Sequence, residues 1–271
     1  MRIFRFIRGA GSFRSYYRLL NELYRTVYGR NLMLHFPYYI AQEEPFEQRQ
    51  INLVDQCLLE FGRFSGGTLL EVGCGNGANC RYISALDGNT QVIGIDLNPD
   101  NIEIAQREHA ADNIRFYVDD AQQLQNIGDQ SVDNLICIES ALHYPDKHAF
   151  FSQVRRVLKP GGQFVIADIL RRSEKKRKSL WWWTRTMLLH HATEEEYHGF
   201  ASGNQLKYLR TRDITPDIVR GYEGHRGWIP RENRGWATHV LLRTTVSILV
   251  GLFLRELRVH KRYMVFTGIH Q

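Results

Sequence analysis

The chain has 271 residues, 43% hydrophobic and 24% charged, with a formal net charge of +6, the composition of one large globular domain or a domain carrying a cap. No apolar run reaches the roughly 18 to 20 residues of a membrane span, the longest being "VSILVGLFL" at 246–254. The four cysteines, Cys57, Cys74, Cys80 and Cys137, show neither the CxxC spacing of a zinc site nor a disulfide ladder, so no metal is expected and a reducing cytoplasm fits best.

The amino end, "MRIFRFIRGAGSFRSYYR", carries five Arg before the first acid, Glu22, but no uninterrupted apolar stretch. That argues against a secretory signal and leaves a transit peptide as the alternative. Residues 1–67 read as a helical, aromatic-rich lid built from "SYYRLLNELYRTVYG", "HFPYYIAQEE" and an amphipathic "RQINLVDQCLLEF". From 68 to 170 short β-type runs alternate with helical stretches: "TLLEVG", "QVIGID", "IRFYV", "VDNLICIES" and "GQFVIAD". Such alternation implies βαβ units and a largely parallel sheet wound into a three-layer α/β sandwich, with a nucleotide at the carboxyl edge beside strand one. The helix in "DKHAFFSQVRRVLKPGG" is expected to close at Lys159, before Pro160 and the turn at Gly161 and Gly162.

Residues 171–235 read as an inserted substrate cap. It opens with "RRSEKKRK", in which six of eight residues are basic, and continues through "SLWWWTRTMLLHH", "TEEEYHGFASGNQLKYL" and "ITPDIVRGYEG", the last with Thr215 as N-cap and Pro216 at the first helical position. A basic cluster followed by Trp and Leu is the pattern of an interfacial helix, which points to peripheral membrane contact through 171–189. The alternative is a lid whose lysines face water. Residues 236–271 read as a return to the core sheet: "WATHVLLR" as a sixth strand, "VSILVGLFLREL" as a buried helix and "RYMVFTGI" as the last strand.

The nucleotide is narrowed by "LLEVGCGNGAN". A dinucleotide fingerprint needs G-x-G-x-x-G, but Gly73, Gly75 and Gly77 stand at every second position, so the third glycine is one residue early. Glu71, ahead of the turn, would repel a phosphate and welcome an α-ammonium. Asp96 ends the second strand 23 residues after Gly73, followed by Leu97, where an acid accepts both ribose hydroxyls. The third strand ends in "VDDAQQL": Asp120 is read as the acceptor of the adenine amino group, with the Ala121 amide beside it and Asp119 as a solvated turn residue. Three acids around the pocket and no Lys or Arg in the glycine loop suit a cationic, phosphate-free adenosine derivative, S-adenosylmethionine.

"LLEVGCGNG", Asp96, "DDAQQL", "ESALHYPD" and "RRVLKPGGQFVIAD" together resemble the motifs of class I S-adenosylmethionine-dependent methyltransferases, over about 100 contiguous residues and in order. Within that superfamily the chain resembles small-molecule enzymes of lipid and natural-product pathways, among them phthiotriol dimycocerosate and polyketide or sugar O-methyltransferases. The resemblance implies a Rossmann-like methyltransferase fold, a seven-stranded, mostly parallel sheet with the last strand antiparallel, and amino-terminal helices closing over the cofactor. It also supports a His and an Asp at the two places held here by His143 and Asp168.

Methyl transfer needs an aligned and desolvated nucleophile, and an alcohol or phenol attacks better as its proton leaves. The fourth strand delivers "ESALHYPD" to the carboxyl edge, with Glu139 toward the cofactor's methionine end and His143 toward the acceptor as candidate base. Asp168, at the end of the fifth strand, would orient His143 or bind the acceptor. Nucleic-acid acceptors are disfavoured: the loop after strand four lacks an Asn/Asp-Pro-Pro-Tyr/Phe run, and Cys137 lies inside a strand. The expected reaction is methylation of a hydroxyl on a hydrophobic small molecule. C-methylation of a sterol-like, prenyl or quinone acceptor is the alternative, ahead of a non-catalytic cofactor-binding protein. The aromatics Tyr16, Tyr17, Tyr24, Tyr28, Phe36, Tyr38 and Tyr39, with Trp181, Trp182 and Trp183, read as lid core or as walls of an apolar acceptor pocket.

Overall fold

A computed structural model describes residues 17–18, 21–22, 25, 33–62, 65–173, 189–223 and 236–271. The predicted Trp181–Trp183 cluster, most of the basic 171–189 stretch and most of the amino-terminal basic segment lie outside the described residues.

Seven strands form one sheet: β1 (Thr68–Val72), β2 (Gln91–Asp96), β3 (Ile114–Val118), β4 (Val132–Ile138), β5 (Leu158–Arg171), β6 (Leu206–Asp213) and β7 (Lys261–His270). Their order is β3-β2-β1-β4-β5-β7-β6. Strands β1 to β5 run parallel, and β7 inserts antiparallel between β5 and β6. This is the expected sheet, with its order reversing between β1 and β4 at the carboxyl edge, where a ligand crevice forms.

Helices α1 (Phe46–Leu58), α2 (Ala78–Leu86), α3 (Pro99–Glu108), α4 (Lys147–Val157), α5 (Glu194–Gly203), α6 (Thr215–Gly221) and α7 (Trp236–Val259) cover both faces. Leu53, Val54, Cys57, Ile83, Ile102, Ile218 and Leu257 pack with Leu69, Val165 and Val265 on one face. Phe150, Phe151, Val154, Tyr197 and Ala201 pack with Leu70, Ile166 and Phe266 on the other. Each fully buried Leu, Ile or Phe contributes roughly 1.5–3 kcal/mol, so the alternation of the strands between these two layers holds the sheet in register.

Three local expectations are corrected. "WATHVLLR" is not a strand: it opens α7, which continues through the predicted helix to Val259. The sixth strand is "LKYLRTRD", which pairs only with β7 and is mostly exposed or half-buried. An edge strand with little buried surface carries no apolar alternation to reveal it. Thr215 is the first residue of α6 rather than its cap, and its hydroxyl accepts the backbone N–H of Tyr263 at 2.8 Å. Helix α4 stops at Val157, because Pro160 pushes the residue before it into extended backbone and β5 begins at once at Leu158.

Candidate functional site

The turn after β1 is built for glycine. Gly73, Gly75 and Gly77 have φ of 75°, 54° and 84°, the left-handed region that disfavours a side chain. A Cβ at Gly73 would lie 1.9 Å from Ser140 Oγ, and one at Gly77 2.7 Å from Ala105 Cβ and 2.9 Å from Phe116 Cζ. The early third glycine therefore serves packing of α2 against α3 and β3, while Gly73 and Gly75 leave bare backbone facing the crevice.

Asp96, 8% exposed, braces that turn. Its Oδ2 accepts the Gly75 N–H at 2.9 Å and its Oδ1 the Asn98 N–H at 2.8 Å, and burial raises its pKa. Asp119 is not the expected solvated turn residue. It is 7% exposed, and its carboxylate accepts the backbone N–H groups of Asp120, Gln125 and Asn126, which fixes the loop. Asp120 and Ala121 line the crevice beside it.

Two adjoining clefts share Gly73, Asp96 and Ser140. One, about 250 Å³, is lined by Leu97, Asp120, Ala121, His143, Tyr144 and His190. The other, about 30 Å³, is lined by Tyr17, His35, Gly75, Asn79 and Glu139. A larger depression of about 460 Å³ lies elsewhere, between Arg171, Glu194 and Arg262, and holds none of the predicted site residues.

Glu139 has the least relaxed backbone of the set, φ 51°, which turns it into the small cleft at the end of β4. Its Oε1 accepts the Phe36 N–H at 2.7 Å and the Tyr263 O–H at 2.8 Å, and burial pushes its carboxyl up to about 8. His143 closes a short helical turn, Ala141–His143, and its Nε2 lies 2.8 Å from Tyr17 Oη, with the rings edge to face. Tyr17 thus lines the small cleft and meets the predicted base.

Three predicted residues do not line either cleft: Gly77, Glu71 and Asp168. Glu71, 1% exposed, sits beneath the glycine turn and accepts from Asn79 Nδ2 and Cys80 Sγ, and burial pushes it up to about 7. Asn79 also bonds to His35, whose burial lowers its pKa to about 4 and keeps the ring neutral. Asp168, 1% exposed, points toward α5, where the Tyr197 hydroxyl donates to it, and burial raises it to about 6. Its partners are the neighbouring cation Lys147, the Tyr197 hydroxyl and the backbone N–H groups of Ile169 and Leu142, rather than the His143 ring.

The cleft positions of His35 and His190 and the hydrogen bond from Tyr263 to Glu139 are not visible in the sequence, where Tyr17 too is only one aromatic among many. No local signal joins Tyr17 to His143 or Tyr263 to Glu139 across more than 100 positions. Among the described residues no group of His, Cys, Asp and Glu is placed to hold a metal ion.

A mostly parallel sheet with a left-handed glycine turn, an acid at the tip of β2 and an antiparallel β7 defines a nucleoside-binding protein of the Rossmann-like methyltransferase fold. Residues 63–212 match the family described as "Methyltransferase domain", and the chain belongs to that family. It is 35% identical over 183 residues to a probable phthiotriol/phenolphthiotriol dimycocerosates methyltransferase 2 of Mycobacterium ulcerans, covering 68% of this chain and 62% of that one. It is 34% identical over 161 residues to the sterol 24-C-methyltransferase of Aspergillus fumigatus, covering 58% of this chain and 41% of the relative. The chain thus spans less than two thirds of either relative. Among solved structures, a geranyl diphosphate C-methyltransferase from Streptomyces coelicolor superposes with a TM-score of 0.77 at 17% identity, covering 96% of each chain, a likeness of fold.

Proposed function

We propose that the protein transfers a methyl group from S-adenosylmethionine to a hydroxyl of a hydrophobic small molecule of lipid, polyketide or other natural-product type. The observation that carries this reading is the Tyr17–His143 pair, held 2.8 Å apart at the border of the two clefts.

The cofactor fits the residues present. Gly73 and Gly75 offer bare backbone, Asp96 an acid for the ribose hydroxyls, Asp120 and Ala121 a seat for adenine, and among the described residues the cleft walls carry acids but no Lys or Arg. Glu139 supplies a carboxyl group toward an α-ammonium, and the buried Glu71 holds Asn79 in the wall of the same cleft. When bound, the sulfonium supplies a methyl carbon already activated for displacement. The protein's own part is to orient the acceptor, exclude water and take its proton. His143 Nε2 accepts that proton, directly or through the Tyr17 hydroxyl, so the nucleophile gains alkoxide character without a free hydroxide.

The acceptor atom distinguishes two readings. The triol and phenol in the name of the Mycobacterium ulcerans relative favour oxygen. The Aspergillus fumigatus relative acts on carbon, and in a C-methylation the ionised form of Glu139, whose carboxyl burial raises to about 8, would quench a cationic intermediate or take a carbon-bound proton. Assaying transfer to long-chain alcohols, phenols and sterols with wild type and His143→Ala separates them. Oxygen transfer predicts a loss of about a hundredfold or more in kcat for His143→Ala, and carbon transfer predicts little loss there.

We also propose a cytoplasmic protein with peripheral membrane contact. Among the described residues no helix is long and apolar enough to cross a membrane. On α7, however, Ile248, Leu252 and Val259 are 59%, 47% and 52% exposed, and Arg255 and Arg258 are exposed on the same helix. An exposed apolar stripe interrupted by Arg255 and flanked by Arg258 suits an anionic lipid surface, as does the basic, Trp-rich composition of 171–189.

A further inference from the structure

We propose that Lys147 is a positioning residue: it pins the returning end of the 171–235 block to the turn that bears His143, and so sets the rim of the larger cleft at its His143 end, opposite the Asp120–Ala121 adenine seat and on the side proposed for the acceptor. This rests on the reading of that cleft given above.

Lys147 is an unexpected residue where it stands. It is the first residue of α4, where the helix dipole disfavours a cation, and it is only 5% exposed. A buried ammonium is costly unless its protons are accepted and a counter-charge is near. Both conditions are met by groups from separate parts of the chain. Lys147 Nζ donates to the carbonyl of Tyr144, 3.1 Å away in the turn after β4, and to the carbonyl of His190. Asp168, on β5, is the nearby carboxylate, itself held by the Tyr197 hydroxyl of α5.

The backbone around His190 completes the pin. Its N–H donates to the Leu142 carbonyl at 2.6 Å, and the N–H of Arg171 donates to the Ala192 carbonyl at 2.9 Å. His191 Nδ1 lies 2.7 Å from the Ile169 carbonyl. Residues 190–192 are thus laid along the end of β5 and hooked to the 141–144 turn, with the Lys147 ammonium bridging the two. The consequence is geometric: His143 and His190 come from opposite sides of this pin, and both line the same cleft. Asp168 then acts through Lys147 and Tyr197 rather than on the acceptor, which accounts for its absence from the cleft wall.

Arginine at this position keeps the charge and donors, whereas methionine fills a similar volume and leaves the buried Tyr144 carbonyl and the half-buried His190 carbonyl without this donor. The test is hydrogen–deuterium exchange on the full chain for wild type, Lys147→Met and Lys147→Arg, with S-adenosylhomocysteine affinity measured in parallel. The proposal predicts that Lys147→Met speeds exchange about tenfold in peptides covering 141–145 and 189–193, leaves 68–72 and 91–96 unchanged, and changes S-adenosylhomocysteine affinity less than threefold. Lys147→Arg restores most of the protection. With an acceptor in hand, Lys147→Met raises its KM more than it lowers kcat. Unchanged exchange at both peptides, or an even acceleration across the sheet, overturns the proposal. If Lys147→Met is recovered unfolded, Lys147→Gln, whose amide serves one carbonyl, is measured in its place, with the same expected and overturning results. Failure of the methyl-transfer reading itself would show separately, as absent S-adenosylhomocysteine binding by wild type.

Discussion

Tyr17 Oη and His143 Nε2 lie 2.8 Å apart although 126 positions separate them in the chain. The contact joins the amino-terminal segment to the turn after β4 and places a phenol and an imidazole at the border between the two clefts. Removing the phenolic oxygen tests whether the pair works as a unit. Tyr17→Phe is expected to lower kcat about tenfold or more, with S-adenosylhomocysteine affinity unchanged. The double variant with His143→Ala should then lose little more than His143→Ala alone, because residues acting together are not additive. Fully additive losses in kcat would show that the two act separately.

The glycine turn makes a prediction about stability. Gly77→Ala must place a Cβ in the left-handed region and 2.7 Å from Ala105, so it should cost roughly 2–4 kcal/mol. Gly161→Ala shares the positive φ, 79°, but meets open space, so its cost should stay near 1 kcal/mol. Urea unfolding of the two variants measures the difference, and equal costs would remove the packing argument for the third glycine.

Glu71 gives a pH dependence with a definite sign. Burial raises its folded-state pKa from 4.5 to about 7, so the folded protein keeps a proton that the unfolded chain releases. Its contribution is therefore most favourable below about pH 4.5 and is lost as pH rises toward 7, by on the order of 3 kcal/mol. The buried His35, lowered to about 4, pulls the other way as pH falls below 6.5. The clean observable is thus the stability of wild type minus that of Glu71→Gln, which should fall between pH 5 and 7.5. A flat difference would mean that Glu71 is ionised in the folded protein throughout.

The exposed stripe on α7 predicts lipid binding. Vesicles containing phosphatidylglycerol should co-sediment the protein more than neutral vesicles, and Ile248→Ser with Leu252→Ser should reduce this at least fivefold without altering S-adenosylhomocysteine affinity. Sedimentation insensitive to anionic lipid, salt and these substitutions would sink the proposed membrane contact.

Strands β1, β4 and β5 are legible in the sequence because they are mostly buried and read as apolar runs, and the glycine turn because its positive φ values demand glycine. β6 is hidden because Lys207, Arg210 and Arg212 on an edge strand mimic a loop, and the apolar opening of α7 reads as a strand in its place. Among the predicted residues, Asp96, Asp120, Glu139 and His143 reach the cleft walls because they stand at or just after strand ends. Tyr17 and Tyr263 are not legible as site residues, since their partners come from more than 100 positions away and nothing local marks them. Glu71 and Asp168 show the limit of reading charge from spacing: both stand at the expected positions, yet the pleat turns both away from the clefts, into hydrogen bonds with Asn79 and Tyr197.

Methyl transfer to an oxygen beside His143 is the proposal on which the other functional readings depend. Incubating the protein with S-adenosylmethionine carrying a carbon-13 methyl group, together with a long-chain alcohol, a phenol and a sterol, and reading the product by NMR tests it most directly. The expected product carries a labelled methyl bonded to oxygen and is lost with His143→Ala. A methyl bonded to carbon, or oxygen methylation that survives His143→Ala at the wild-type rate, would contradict it.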